Sequence, residues 1–309
     1  MKRITFKDVG LKYVLSPYDE PVLHLKPGET LIVEIEDASS GQIRSESDRR
    51  DRSKIPFGNP VVGPIYIEGA KKGSSISVLI EDIKPTIGQG ATYLSEFNEV
   101  YVAATPILKF MGVSFPREPR ICKIKDGLVH FSDKITIPYQ PMIGTIGVAP
   151  HPESCSISSG VLPGNHGGNM DLPEVGPQSR IFLPVFHNGA LLYIGDAHAV
   201  QGGGEISGTA VEMPAEVTVK VELVEERLNW PRIETESEVM YVSTTASEGT
   251  LENAIRTAFL ELIAWMEKEY GLDRFEGLML CSQVGKISIG NLWTAAAKIE
   301  KKYLEALKS

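Results

Sequence analysis

Cysteine is scarce. Cys122, Cys155 and Cys281 are odd in number, widely spaced and free of any C-x-x-C pair. That excludes a disulfide framework and fits a reducing compartment. Long apolar runs are missing too: none approaches the ~18 residues of a membrane helix, and the opening MKRITFKDVGLKYVLS lacks the apolar core of a signal peptide. Positive charge is in deficit, with 31 Lys and Arg against 40 Asp and Glu and a net charge of −9. A nucleic-acid-binding chain shows the reverse balance or a basic stripe. The single basic cluster, RRDRSK (Arg49–Lys54), is broken by Asp51 and reads as a solvated loop. These absences argue against nucleic-acid and membrane partners and lead to the expectation of a soluble, cytoplasmic protein.

What is present is globular: 42% of the 309 residues are hydrophobic and 23% charged. Up to about residue 228, short apolar runs alternate with Gly, Pro, Asn and Asp, the punctuation of an all-β chain. KPGETLIVEIED (Lys26–Asp37) and KKGSSISVLIED (Lys71–Asp82) match position for position, with Gly28 and Gly73 before alternating Leu31/Ile76, Val33/Val78 and Ile35/Ile80. AEVTVKVELVEE (Ala215–Glu226) alternates likewise. A repeated turn-plus-strand unit predicts a mainly β fold, sandwich- or barrel-like and built from similar hairpins.

After about residue 229 the period changes. TLENAIRTAFLELIAWMEKEYG carries a helical apolar stripe from Leu251 to Met266 between the caps Thr250 and Gly271. FEGLMLCSQVG reads as a buried strand and NLWTAAAKIEKKYLEALK as a closing helix. The expectation is a β-rich domain over 1–228 carrying the chemistry, with a smaller C-terminal α/β unit over 229–309 packed on it.

The chemistry concentrates between Ile143 and Glu212, where four of the six histidines share a tract rich in Gly, Asn and acids. Such a tract is costly to order unless it builds something. In GDAHAVQGGGE, Asp196 and His198 follow the strand-like ALLYIG at i, i+2, so both side chains point to one face. Either they grip one divalent ion, or one orients the other; a surface Asp–His pair at a turn is the plain alternative. Gly202, Gly203 and Gly204 permit a tight return that brings Glu205 and Gln201 back to the pair. In GNHGGNMD (Gly164–Asp171), His166, Asn169 and Asp171 are each able to bind metal or substrate, and Gly167 and Gly168 leave backbone N–H groups for an oxyanion. In APHPES, Glu153 is a candidate general base in a proline-stiffened loop. Cys155 beside it bears no mark of activation. His24, His130 and His187 read as structural.

GNHGGNMD, LPVFHNGALLYIGDAHAVQGGGE and GTAVEMP, with GVAP upstream and GPIYIEGAKKG nearer the N-terminus, resemble the acetamidase/formamidase family from about residue 20 to 230, and more loosely to about 285. The resemblance implies hydrolysis of small linear amides to a carboxylate and ammonia, a mostly β fold, a homodimer and a divalent metal. Carried onto this chain, it places Asp171, Asp196 and His198 at the polar site, with Gln201, Glu205, His166 and Asn169 around them. Two departures stand out: Gly203 replaces the acid of the family's Q-G-D-G-E, and Lys286 in QVGKIS stands where an aspartate is expected at a strand end.

The mechanism expected on these grounds is metal-assisted. Asp171, Asp196 and His198 hold a divalent ion with its water, zinc being the first choice and calcium compatible as an additional ion. Glu205, or failing it Glu153, moves the proton, with His166 as a further catalytic candidate. Gly167, Gly168, Asn169 and Gln201 contact the substrate. Two rivals belong to other classes: a non-catalytic β-fold binding protein with a structural metal, and a metal-free amidase using Cys155 and Glu153.

Overall fold

The computed structural model describes residues 1–94, 110–112, 118–151, 156–160 and 162–308. The alternating segments become neighbouring strands. β4 (Thr30–Ile35) and β6 (Ser75–Pro85), from the two repeated units, flank β16 (Ala215–Val224) antiparallel on either side. Val219 of β16 is in register with Leu31 on one side and Ile80 on the other. Leu31, Val33, Ile35, Ile76, Val78 and Ile80 are all fully buried, each worth about 1.5–3 kcal/mol on leaving water.

These strands are part of a nine-stranded sheet. Its order is β1 (Lys2–Thr5), β4, β16, β6, β14 (Arg180–Pro184), β17 (Arg232–Glu234), β18 (Glu238–Thr244), β20 (Thr294–Glu300) and β19 (Lys286–Ile289). A one-turn helix, α1 (Phe6–Val9), follows β1. Residues 228 and 229, where the domain boundary is expected, fall between β16 and β17 of this sheet. A five-stranded sheet, ordered β13 (Gly167–Asn169), β11 (Met142–Val148), β15 (Leu192–His198), β5 (Val61–Ile67) and β3 (Leu23–Leu25), shares one apolar core with it. That core joins Leu31, Val33 and Val217 of the large sheet to Ile65, Ile146 and Ile194 of the smaller. A four-stranded sheet of β10 (Thr136–Pro138), β9 (Leu128–His130), β8 (Arg120–Lys125) and β7 (Gln89–Thr92), and the pair β12 (Ile157–Ser158) and β2 (Val14–Leu15), complete the β structure among the described residues.

After the short helix α2 (Thr245–Glu248), the amphipathic helix forms as the stripe requires: α3 spans Leu251–Tyr270. The Thr250 hydroxyl accepts from Asn253 N, and left-handed Gly271 ends the helix. Its inner face, including Ala258, Leu262 and Met266, packs on Tyr241 of β18 and Ala297 and Ile299 of β20. The next two segments differ from expectation. FEGLMLCSQVG is not a strand; all but its last residue lies within helix α4 (Arg274–Val284), capped by the Asp273 carboxylate accepting from Phe275 N at 2.9 Å and ended by Gly285. An N-capping aspartate outweighs an apolar run too short to fix its own period. The closing segment is not a helix. TAAAKIE forms β20, with Ala295, Ala296 and Ala297 fully buried between β18 and β19, and only short 3₁₀ turns follow. Alanine favours helix locally, but its small side chain also fits a central strand covered by α3. No helix among the described residues is long and apolar enough to cross a membrane.

Candidate metal and active site

The site sits at the end of the five-stranded sheet. β15 ends in Asp196, Ala197 and His198, and β11 runs beside it, with Met142 opposite His198 and Thr145 opposite Gly195. β13 lies on the other side of β11 and leads into Asp171. Three chain segments therefore converge across β11. That strand leaves room through Gly144: a Cβ there would run into Asp171 Oδ1, lie 2.7 Å from Asp196 Oδ2 and 3.0 Å from His198 Cε1. Without a side chain at 144, the two carboxylates and the imidazole share one space.

The donor atoms of Asp171, Asp196 and His198 lie within 4.8 Å of one another, and all three residues are buried. Those of His198, Glu205 and Glu212 form a second such group sharing the histidine. Asp171, Asp196 and Glu205 all hold left-handed backbone, with φ of 49°, 62° and 43°. Three non-glycine residues in that region, each an acid on one cluster, mark strain kept where the surroundings enforce it.

Hydrogen bonds fix how each group faces inward. His198 Nδ1 is 2.8 Å from Gln201 Oε1, and Gln201 Nε2 donates to the Asp171 carbonyl at 2.5 Å. Because the Gln201 amide is held at its nitrogen end, its oxygen must accept, so His198 carries a proton on Nδ1 and offers Nε2 to the cluster. Nε2 lies 3.1 Å from Glu212 Oε2 and 3.4 Å from Asp196 Oδ1. A bare nitrogen facing two carboxylate oxygens needs a cation between them, either a proton on Nε2 or a metal ion. The outer oxygens are tied down: Asn59 Nδ2 donates to Asp196 Oδ2 at 2.8 Å, Asn291 Nδ2 to Asp171 Oδ2 at 2.7 Å, and Ala210 N to Glu212 Oε1 at 2.9 Å. That leaves Asp171 Oδ1, Asp196 Oδ1, His198 Nε2 and Glu212 Oε2 buried without a hydrogen-bond partner.

A set of orphaned oxygens with one imidazole nitrogen suits a divalent ion such as zinc. In its absence the charges are costly. Burial, reinforced by the charge of Asp196, pushes the Asp171 carboxyl up to about 7. Burial raises the Glu205 carboxyl well above the usual range, with the charge of Asp171 adding to it. Glu212 is also raised by burial, with His198 opposing. Burial alone would lower His198, but Glu212 and Asp196 outweigh it and hold the imidazolium form well above its ordinary range. Without a cation between them, the buried acids of the cluster and His198 therefore hold their protons more tightly than free groups do.

The other expected site residues are distributed around this centre. The Gly202–Gly204 return brings Glu205 into the second donor group. Asn169 Oδ1 accepts from Thr145 Oγ1 at 2.8 Å and from Asn59 Nδ2 at 3.2 Å. The Gly167 amide donates to the Gly164 carbonyl at 3.0 Å, so the turn itself uses it. His166 is buried with Nε2 unpartnered, beside the Gly164–Gly168 turn and outside both donor groups; burial lowers it to about 4, so it is neutral. Glu153 and Cys155 lie outside the described residues. Lys286 is the first residue of β19 and pairs with Glu300 at 2.6 Å.

Sequence reasoning missed Glu212, Asn59, Thr145, Gly144 and Asn291. Glu212 stands in GTAVEMP, an acid among small apolar residues that could have been singled out. The neutral residues carry no local signal.

A model of the Acetamidase/Formamidase family matches residues 16–160 and 154–285. An acetamidase of Mycolicibacterium smegmatis is 27% identical over 256 residues, covering 65% of this chain and 62% of that protein. A formamidase of Methylophilus methylotrophus is 25% identical over 255 residues, covering 67% and 63%. The matched stretches span 60–63% of the length of the curated relatives. Among solved structures, an acetamidase from Yersinia enterocolitica superposes with a TM-score of 0.87 at 37% identity over 98% of this chain and 93% of that one. One from Bacillus halodurans gives 0.86 at 30% identity over 99% and 100%. A gamma lactamase from Delftia acidovorans, at 17% identity and a TM-score of 0.60, covers 96% and 89% and shows the fold alone. By the family match and these structural relatives together, the chain belongs to the acetamidase/formamidase family.

Proposed function

We propose that the protein hydrolyses small linear amides, of the formamide and acetamide kind, to a carboxylate and ammonia. The observation that carries the reading is the set of buried, unpartnered donor atoms on Asp171, Asp196 and His198, in a chain whose relatives bear amidase names. These three residues hold a divalent ion, zinc by the chemistry of the donor set. When bound, such an ion supplies Lewis acidity that makes water a nucleophile at neutral pH. Gln201 keeps His198 in the tautomer that offers Nε2.

Glu205 does the proton work. It lies beside the Asp171, Asp196 and His198 donors and is only part-buried, and as the carboxylate it accepts a proton from the attacking water and then, as the acid that burial favours, passes it to the departing nitrogen. An amide nitrogen leaves only when protonated, so that second transfer is the demanding one. Glu212, closed in beside His198, turns its unpartnered Oε2 toward the same Nε2 at 3.1 Å and stands as a further donor to the ion. Gly168 and Asn169 stand as groups for orienting the carbonyl. The active form is a homodimer, for which light scattering should give the mass of two chains.

The test is ammonia release from formamide, acetamide and propionamide, with metal content measured on the same preparation. Activity should vanish on chelation and return with Zn²⁺. Full turnover in metal-free protein would remove the reading.

A further inference from the structure

The turn between β19 and β20 comes from the last strands of the chain, beyond residue 285 where the family match ends. It nevertheless reaches the donor cluster. Asn291 on this turn is 3% exposed, and all four of its amide hydrogen-bonding positions are filled. Its Oδ1 accepts from Trp293 N at 3.1 Å and Thr294 Oγ1 at 3.0 Å, within its own turn. That anchoring leaves both Nδ2 hydrogens pointing outward, one to the Asn169 carbonyl at 2.8 Å and one to Asp171 Oδ2 at 2.7 Å. With Oδ2 so held, Asp171 turns its unpartnered Oδ1 into the cluster.

The backbone of the turn braces the other side. Gly204 N donates to the Gly290 carbonyl at 2.6 Å, immediately before Glu205. Gly290 packs so closely on the Met170 carbonyl that a Cβ there would collide with it. The same turn therefore touches the Asp171 segment and the loop that carries Glu205.

We infer that Asn291 is a positioning residue: from the C-terminal hairpin it orients the Asp171 carboxylate for the divalent ion, and the β19–β20 turn sets the loop of Glu205 relative to it. The inference rests on the metal reading of the site above. A neutral amide suits the task because it donates to the carboxylate without neutralising it, and leaves the full charge available to the ion.

The test uses the full-length protein stripped of metal, with Zn²⁺ affinity read by competition with a chromophoric chelator and Co²⁺ loading read by its visible spectrum. Asn291→Asp is near-isosteric but places an oxygen where Nδ2 donated, facing the Asn169 carbonyl and the Asp171 carboxylate. Zn²⁺ affinity should fall by about 10–100-fold or more, the usual effect of losing such a support, and the Co²⁺ spectrum should change as the carboxylate turns. Thr294→Val removes only one of the two anchors on Oδ1 and should give a smaller loss of the same kind; it keeps the test open should Asn291→Asp fail to fold. Metal-free melting temperatures separate a positioning effect from a general one: affinity should drop in variants whose metal-free fold melts within a few degrees of the parent. Parental affinity and an unchanged Co²⁺ spectrum in a folded variant would overturn the inference and leave the metal reading intact. A parent protein that binds neither ion would remove both.

Discussion

Two stretches meet at the same cluster and look nothing alike. Gly195–Glu205 supplies an acid, a histidine and a second acid around three glycines; the Ile289–Thr294 turn supplies one neutral amide and backbone groups. The first provides groups that carry charge and can hold a cation. The second provides none, yet fixes which oxygen of Asp171 faces inward. Residues that perform chemistry announce themselves by type, whereas residues that aim them do so only through contact.

That contrast can be broken most directly at the ligands. Asp196→Asn and His198→Ala should cut metal affinity by more than the 10–100-fold usual for a lost support, with activity falling alongside; zinc content and ammonia release measured in parallel decide it. If both variants keep full metal and rate, the buried Asp196–His198 pair is structural and the contrast collapses. Glu205→Gln should separate the roles inside the stretch: metal retained, kcat lowered by about 10²–10⁴ as for a lost proton-transfer group. Loss of metal in that variant would make Glu205 a ligand instead.

A third measurement sharpens the contrast through pH. His166 is buried and lowered from 6.5 to about 4. Below pH 6.5 the unfolded chain takes up a proton that the folded chain refuses until about 4, so stability falls as pH drops through this window. The full loss is about 3 kcal/mol. In metal-free protein Asp171, raised from 3.8 to about 7, acts with the opposite sign: the folded state keeps its proton longer, and stability falls as pH rises across that range. Urea unfolding of metal-free parent and His166→Gln between pH 4 and 7 should therefore differ by an acid limb present only in the parent. Superimposable curves would show that His166 binds its proton equally well folded and unfolded, and that burial does not hold it neutral. The smallest effect is expected at Gly203→Asp, which restores the acid of the family pattern: a Cβ at 203 lies 3.2 Å from the Ile289 carbonyl, tight enough to shift the loop by tenths of an ångström. The kcat should change only a few-fold; a change of two orders of magnitude would assign that carboxylate a direct role.

Much of this was legible beforehand, and the exceptions are instructive. The alternation in Lys26–Asp37, Lys71–Asp82 and Ala215–Glu226 specifies strands, because burying one face of a pleated segment requires apolar residues at every second position. The stripe from Leu251 to Met266, with its caps, specifies a helix for the corresponding reason at a period of 3.6. GDAHAVQGGGE marked itself through residues that few folds crowd together without use. Glu212 was overlooked because a single acid in GTAVEMP resembles any loop acid until its oxygen is found 3.1 Å from His198.

What the chain alone determined, then, is local: which segments pleat, which coil, and where groups able to hold a cation accumulate. What only tertiary structure decided is how distant segments meet. TAAAKIE is a strand because β18 and β19 provide its hydrogen bonds and α3 covers it, a context that outweighs the small helical preference of three alanines. Gly144 is the floor of the site because β13 and β15 pair on either side of β11. Asn291 aims Asp171 from 120 residues away in sequence. No periodicity encodes such a contact, since it exists only once sheet pairing has brought the two turns within reach of a hydrogen bond.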